Sequence, residues 1–257
     1  MTRGVVRAAI LPAMFAALKE RNPGAGLAWI LAYEVIRRVA LVAYSLLFQA
    51  RAFHGERVPQ TGAVLLVANH QSFLDPPLVG MNLRPRHTDY IARSTLFLPG
   101  FGLVLKLLNC IAIEEDSGDV GAIRITLERL ESGHAVVIFP EGNRTEDGAM
   151  QPFKRGAALL VKRSKCPVVP VAVEGCFDAY PRQRAFPVLG GSPIAVMYGH
   201  PISHDELMKD GADAALRRLE REIETMRMEL RRKIRRITDG VYPKAGPGDR
   251  TRDQISG

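Results

Sequence analysis

Cysteine is scarce. The chain has 3 in 257 residues, Cys110, Cys166 and Cys176. They are too few and too scattered for a disulfide framework or a zinc cluster, so free buried thiols in a reducing compartment are expected. No Gly-x-Ser-x-Gly segment occurs, which argues against a serine hydrolase built on a nucleophile elbow. A glycine-rich dinucleotide turn and an internal repeat are also absent, which disfavours that cofactor fold and a solenoid. No uninterrupted apolar run reaches the about 20 residues that a spanning helix needs. No metal or cofactor is expected.

What is present is a chain with enough apolar residues for a sizeable core, 47% hydrophobic and 24% charged. The formal charge is +8 and the isoelectric point near 9.7. That excess points to anionic partners: a phosphate substrate, an acidic membrane surface or nucleic acid.

Two stretches concentrate the polar chemistry. In the first, the apolar run Val64–Ala68 reads as a buried strand and ends abruptly in Asn69-His70. Asp75 follows, then Pro76-Pro77, which reads as a helix N-cap with proline at the first helical position. His70 then sits on a strand-to-helix turn, where open α/β sheets place their ligands. The turn is long enough to fold Asp75 back onto one imidazole nitrogen and leave the other for a proton. The plainer reading, a cap and a polar turn residue, stands beside this one.

The second stretch repeats the arrangement. Ala135–Phe139 reads as a strand and ends in Pro140-Glu141-Gly142-Asn143-Arg144-Thr145. Gly142 permits positive φ, and Arg144 offers a planar fork to a phosphate or carboxylate. Lys154 and Arg155 add cations just before a helix whose N-terminus can itself hold an anion. The plain alternative is an i, i+3 ion pair between Glu141 and Arg144 in a surface turn.

Read in order, the chain divides into three parts. Residues 1–52 are an apolar front end, with helical patterns over Val5–Leu18 and Leu27–Arg51 around the turn Asn22-Pro23-Gly24-Ala25-Gly26. Arg3 and Arg7 ahead of an apolar run resemble a signal peptide. No small-residue cleavage site follows, so cleavage is not expected. Glu34, Arg37 and Arg38 interrupt the second helix. The expectation is a two-helix hairpin lying in one leaflet with its arginines at the headgroups; two helices packed on the core are the alternative.

Residues 53–238 are expected to form an α/β domain, a mixed, mostly parallel sheet flanked by helices. Strand patterns fall at Ala63–Ala68, Thr88–Ala92, Cys110–Ile113, Ala135–Phe139, Val168–Val173 and Ile194–Tyr198. Helical patterns fall at Pro76–Asn82, Leu103–Leu108, Val120–Leu130 and Ala157–Arg163. Ser203–Glu206 fits a capping box, and Asp210-Gly211 a break. Beyond it Leu216, Leu219, Ile223, Met226, Leu230, Ile234 and Ile237 make one apolar seam of a basic helix. Residues 239–257 read as a loose tail.

At this point the chain resembles the glycerolipid acyltransferases typified by lysophosphatidic acid acyltransferase. Asn69-His70-Gln71-Ser72-Phe73-Leu74-Asp75 matches the family's Asn-His-x4-Asp block. Phe139-Pro140-Glu141-Gly142-Asn143-Arg144-Thr145 matches its Phe-Pro-Glu-Gly-x-Arg-Ser/Thr block. Phe153–Gly156, Val168–Val171 and Leu98–Gly102 match further segments, in family order over roughly residues 58–200. One block departs: where the family has Ile-Asp-Arg, this chain has Ile113-Glu114-Glu115. An acidic residue there repels a phosphate, which bears on the acceptor and leaves acyl transfer intact.

The resemblance implies transfer of a fatty acyl group from a thioester, acyl-CoA or acyl carrier protein, to a lysophospholipid hydroxyl, above all that of 1-acyl-glycerol-3-phosphate. His70 would be the base and Asp75 its partner. Arg144, with Lys154 as a weaker candidate, would hold the phosphate, in a pocket shaped by Glu141, Gly142 and Asn143. The site would work at the cytoplasmic face of the cell membrane, peripheral or monotopic. Two other classes compete: a lipid-binding protein of the same fold without turnover, and a nucleic-acid binder. Glu220, Glu222, Glu224 and Glu229 break up the basic helix, so no specific nucleic acid is expected.

Overall fold

The computed structural model describes residues 16–83, 86–113 and 118–251. The first helical pattern lies largely outside them; residues 16–21 are helical. Glu114 and Glu115 also lie outside the described residues.

The sheet has seven strands: β1 (Arg51–Phe53), β2 (Val64–Ala68), β3 (Asp89–Arg93), β4 (Cys110–Ile113), β5 (Ala135–Ile138), β6 (Val168–Glu174) and β7 (Ala195–Tyr198), in the order β1-β7-β6-β2-β5-β3-β4. All neighbouring pairs are parallel except β6 with β7. The expected mixed, mostly parallel sheet is therefore present, with β7 and β1 reversed at one edge. All six strand patterns correspond to strands. β1 falls where the sequence suggests the end of a helix. Gln49, with φ 48, stops the helix at Phe48, and Arg51 then pairs with Ala195.

After residue 21 the α-helices among the described residues are α1 (Leu27–Phe48), α2 (Asp75–Met81), α3 (Phe101–Leu107), α4 (Gly118–Glu131), α5 (Arg155–Ser164), α6 (Cys176–Ala179), α7 (His204–Met208) and α8 (Ala212–Ile237). The sheet's pleat decides which layer each strand residue feeds. Leu65 and Val67 of β2 face a core shared with α5 and α8. Val64, Leu66 and Ala68 face a second core with α2 and the end of α1. Every residue of β2 is fully buried, as expected of a central parallel strand covered on both faces.

Two expectations need correction. α1 is not laid wholly on the outside: Arg38 is exposed as expected, but Arg37 is not. Arg37 is buried, donates to the Met81 carbonyl at 2.8 Å and clasps Glu34. Tyr33 stacks on His87 at 3.7 Å, and Phe48 enters the core. The other face of α1, from Leu31 through Val35, Val39, Val42 and Leu46, is exposed. No helix among the described residues is long and apolar enough to cross a membrane.

The segment after α8 is also not loose over its described part. Arg231 donates to the Lys244 carbonyl at 2.6 Å and to Asp249 at 2.9 Å, and Arg227 donates to the Gly248 carbonyl at 2.9 Å. Buried guanidinium groups need acceptors, and this segment supplies them. The apolar seam of α8 holds from Leu216 to Ile234, while Ile237 is exposed. Half of the expected capping box forms: Ser203 accepts the Glu206 N–H, but the Glu206 carboxylate pairs with Arg218.

Candidate active site

β2 and β5 are neighbours in register, with Val67 opposite Ile138. Both strands therefore end at the same edge of the sheet, and their polar turns meet there. Asn69 continues β2 by one rung through its side chain. Its Nδ2 donates to the Val173 carbonyl at 3.0 Å, and its Oδ1 accepts the Val173 N–H at 2.8 Å.

His70 comes next. Its Nδ1 lies 2.8 Å from Asp75 Oδ2, and its ring stacks on Phe139 at 4.2 Å. A carboxylate acceptor at Nδ1 fixes the proton there, so the Nε2 lone pair faces away from Asp75. Among the described residues no protein group bonds Nε2. The imidazole is partly exposed, at 16%, while the Asp75 side chain is fully buried.

Asp75 is not the N-cap the sequence suggests; α2 begins on it, after Leu74. Pro76 and Pro77 bring no N–H groups to the first turn, so there is little for a cap to accept. The carboxylate instead turns back. Oδ2 accepts the backbone N–H groups of Gln71 and Ser72, each at 2.6 Å, as well as His70. The five-residue spacing thus closes a loop in which one oxygen aims the imidazole and orders the turn.

Glu141 is buried and does not pair with Arg144. Its Oε1 accepts the His70 N–H at 2.6 Å and its Oε2 the Gln151 N–H at 2.8 Å. Burial pushes its carboxyl up to about 8 against the pull of those two N–H donors. The Thr145 N–H also donates to the His70 carbonyl at 2.9 Å. The two turns are therefore stitched at both backbone polar groups of His70. Glu141, expected to shape this turn, does so as the stitch between the two turns.

The expected cations line the same edge. Gly142 has φ 73, and the Lys154 side chain runs over it so closely that a Cβ would meet its Cε at 2.4 Å. Lys154 caps α5 and is exposed; its N–H donates to the Pro140 carbonyl at 2.8 Å. The Arg144 guanidinium lies 3.6 Å from the centre of the Phe73 ring, on the turn after His70. Among the described residues Arg144 has no carboxylate partner. Partial burial and neighbouring Arg182 lower its pKa. Asn143 is exposed and accepts from Arg93 at 3.2 Å.

Sequence reasoning missed Arg93, although its place at the end of a strand was a signal. It also missed Gln71 and Glu174, which bond each other behind His70 at 3.1 Å. The described residues contain no cluster able to hold a metal. Chemically, the edge offers a proton acceptor at Nε2, a fixed carboxylate behind it, and cations on the neighbouring turn.

Residues 50–174, which contain both turns, match a protein-family model described as acyltransferase. The 1-acyl-sn-glycerol-3-phosphate acyltransferase of Bacillus subtilis is 26% identical over 56% of this chain and 71% of its own length. The alpha form of that enzyme from mouse is 32% identical over 66% of this chain and 63% of its own. A crystal structure of the 1-acyl-sn-glycerophosphate acyltransferase from Thermotoga maritima superposes with a TM-score of 0.59, over 74% of this chain and 78% of that one, at 24% identity.

Proposed function

Because the chain belongs to the acyltransferase family, we propose that it moves a fatty acyl group from an acyl thioester, acyl-CoA or acyl carrier protein, to the free hydroxyl of 1-acyl-glycerol-3-phosphate, giving phosphatidic acid. The observation that carries this reading is the 2.8 Å bond between His70 Nδ1 and Asp75. It supports a role for Nε2 as general base.

The steps balance without a protein nucleophile. The acceptor hydroxyl gives its proton to Nε2 as its oxygen attacks the thioester carbonyl. Asp75 stays ionised and stabilises the imidazolium that forms. When the tetrahedral centre collapses, the C–S bond breaks and the sulfur leaves with the proton from Nε2, as a thiol. Arg144 holds the acceptor's phosphate by charge-assisted hydrogen bonds, with Lys154 as a second cation.

The exposed apolar stripe of α1, with Leu98 and Leu103 also exposed, supports a peripheral or monotopic seat on the cytoplasmic face of the cell membrane. There the acyl chains of both substrates reach the site without crossing water, and the product serves phospholipid synthesis.

Glu115, at the position where the family carries arginine, favours a second reading: the same chemistry on another lysolipid or on glycerol phosphate. Incubation of the purified protein with labelled acyl thioester and a panel of such acceptors, followed by lipid mass spectrometry, tests both. An acylated product that His70→Ala reduces at least about a hundredfold is expected. No acylated product from any acceptor overturns acyl transfer; substantial activity in His70→Ala overturns the base.

A further inference from the structure

The groups that hold the His70 turn extend well beyond Asp75. Gln71 gives its backbone N–H to Asp75 and spends its side chain on a different partner. Its Nε2 donates to Glu174 Oε2 at 3.1 Å, and its Oε1 accepts the Phe177 N–H at 3.2 Å. Glu174 closes β6 and is 1% exposed. Arg231 Nη1 donates to its Oε1 at 2.6 Å and Arg227 Nη1 to its Oε2 at 3.1 Å.

Both arginines are buried on α8 and fixed from behind. Arg227 is clasped by Glu224 and donates to the Gly248 carbonyl; Arg231 donates to Asp249 and to the Lys244 carbonyl. An unbroken line of charge-assisted bonds therefore runs from residues 244–249, through α8, to Gln71 and Asp75. Such a buried cluster is a poor device for stability alone, since packed apolar residues do as well or better. What it provides is direction: each planar guanidinium donates to its carboxylates in few geometries.

We propose that Glu174, gripped by Arg227 and Arg231, is a positioning residue, which fixes Gln71 so that the Gln71 and Ser72 amides aim Asp75 at His70. Glu174 touches no reacting atom. Its effect passes through Asp75, and the segment after α8 is part of the same device. The inference rests on acyl transfer at His70 only for its kinetic arm.

Two variants test it. Glu174→Gln removes the charge that both arginines grip. Gln71→Met cuts the tie to the turn and leaves the ion cluster intact, so it serves if Glu174→Gln does not fold. The spectroscopic readout is the proton resonance of the His70 Nδ1–H bonded to Asp75, assigned by its loss in His70→Ala. It is expected to shift or broaden in both variants while circular dichroism reports a folded protein.

In turnover, kcat is expected to fall roughly ten- to a hundredfold, the cost of a misplaced catalytic group, with KM for both substrates little changed. In an Asp75→Asn background the same substitutions are expected to add less than about twofold, because the path they act through is already broken. An unmoved resonance in the folded variants, or an equal loss of kcat in both backgrounds, overturns the proposal. A resonance that moves as expected in a protein without acyl transfer to any acceptor leaves the positioning intact and removes the acyl-transfer reading.

Discussion

Glu141 Oε1 accepts the backbone N–H of His70 at 2.6 Å, across 71 residues of chain. With Gln151 on its other oxygen, this one carboxyl joins the turn after β2, the turn after β5 and the approach to α5. Burial raises its pKa from 4.5 to about 8. Across that window the folded state holds a proton that the unfolded state has released, so this group's contribution favours folding at low pH and fades as pH rises toward 8. Glu141→Gln abolishes that dependence and turns an N–H₂ toward one of the two amides, costing about 1–3 kcal/mol. Urea unfolding at steps between pH 5 and 8 is expected to give a flatter profile for the variant than for the parent.

The Arg144 guanidinium sits over the Phe73 ring. A phosphate held by its fork contributes a charge-assisted bond, so Arg144→Ala is expected to raise the acceptor's KM roughly ten- to a hundredfold and to affect kcat less. Arg144→Lys restores only part, because an ammonium keeps the charge but loses the planar fork. Initial rates with a phosphate-bearing acceptor and with one lacking phosphate check this. An equal effect on both acceptors removes Arg144 from phosphate binding.

His87 is stacked on Tyr33 at the opposite end of β3 from Arg93, and among the described residues neither of its ring nitrogens has a hydrogen-bond partner. Burial, the main cause, lowers its pKa to about 4, against the pull of Glu34 and Asp89. The unfolded chain protonates this group from its ordinary value near 6.5, so the folded protein loses stability as pH falls from there toward 4. The loss is on the order of 3 kcal/mol at most. His87→Phe keeps a ring on Tyr33 without a titrating nitrogen. Thermal melts between pH 7 and 4 are expected to slope less for the variant.

The sequence made the two central strands plain because a buried parallel strand must be uncharged on both faces, and Val64–Ala68 and Ala135–Ile138 are. The return of Asp75 to His70 was legible too, since a five-residue turn can close on itself. Glu141 was not. Its nearest cation in sequence is Arg144, and only the lateral pairing of β2 with β5 brings the His70 amide to it. β1 escaped notice because a three-residue strand beside a helix carries no periodic signal. Arg227 and Arg231 left a trace: both fall within the apolar seam of α8, between Ile223 and Ile234. An arginine in a seam requires a buried acid, but only the fold could identify that acid as Glu174.

Asn69 gives the sheet edge its last consequence. Its carboxamide takes both bonds that a further peptide unit of β2 would have made with Val173. The side chain impersonates main chain, so the ladder gains a rung while the backbone itself is released to bend away. The imidazole therefore emerges from a strand that has been sealed rather than one that frays. The rigidity of the sheet interior is delivered intact to the first residue that must meet solvent and substrate.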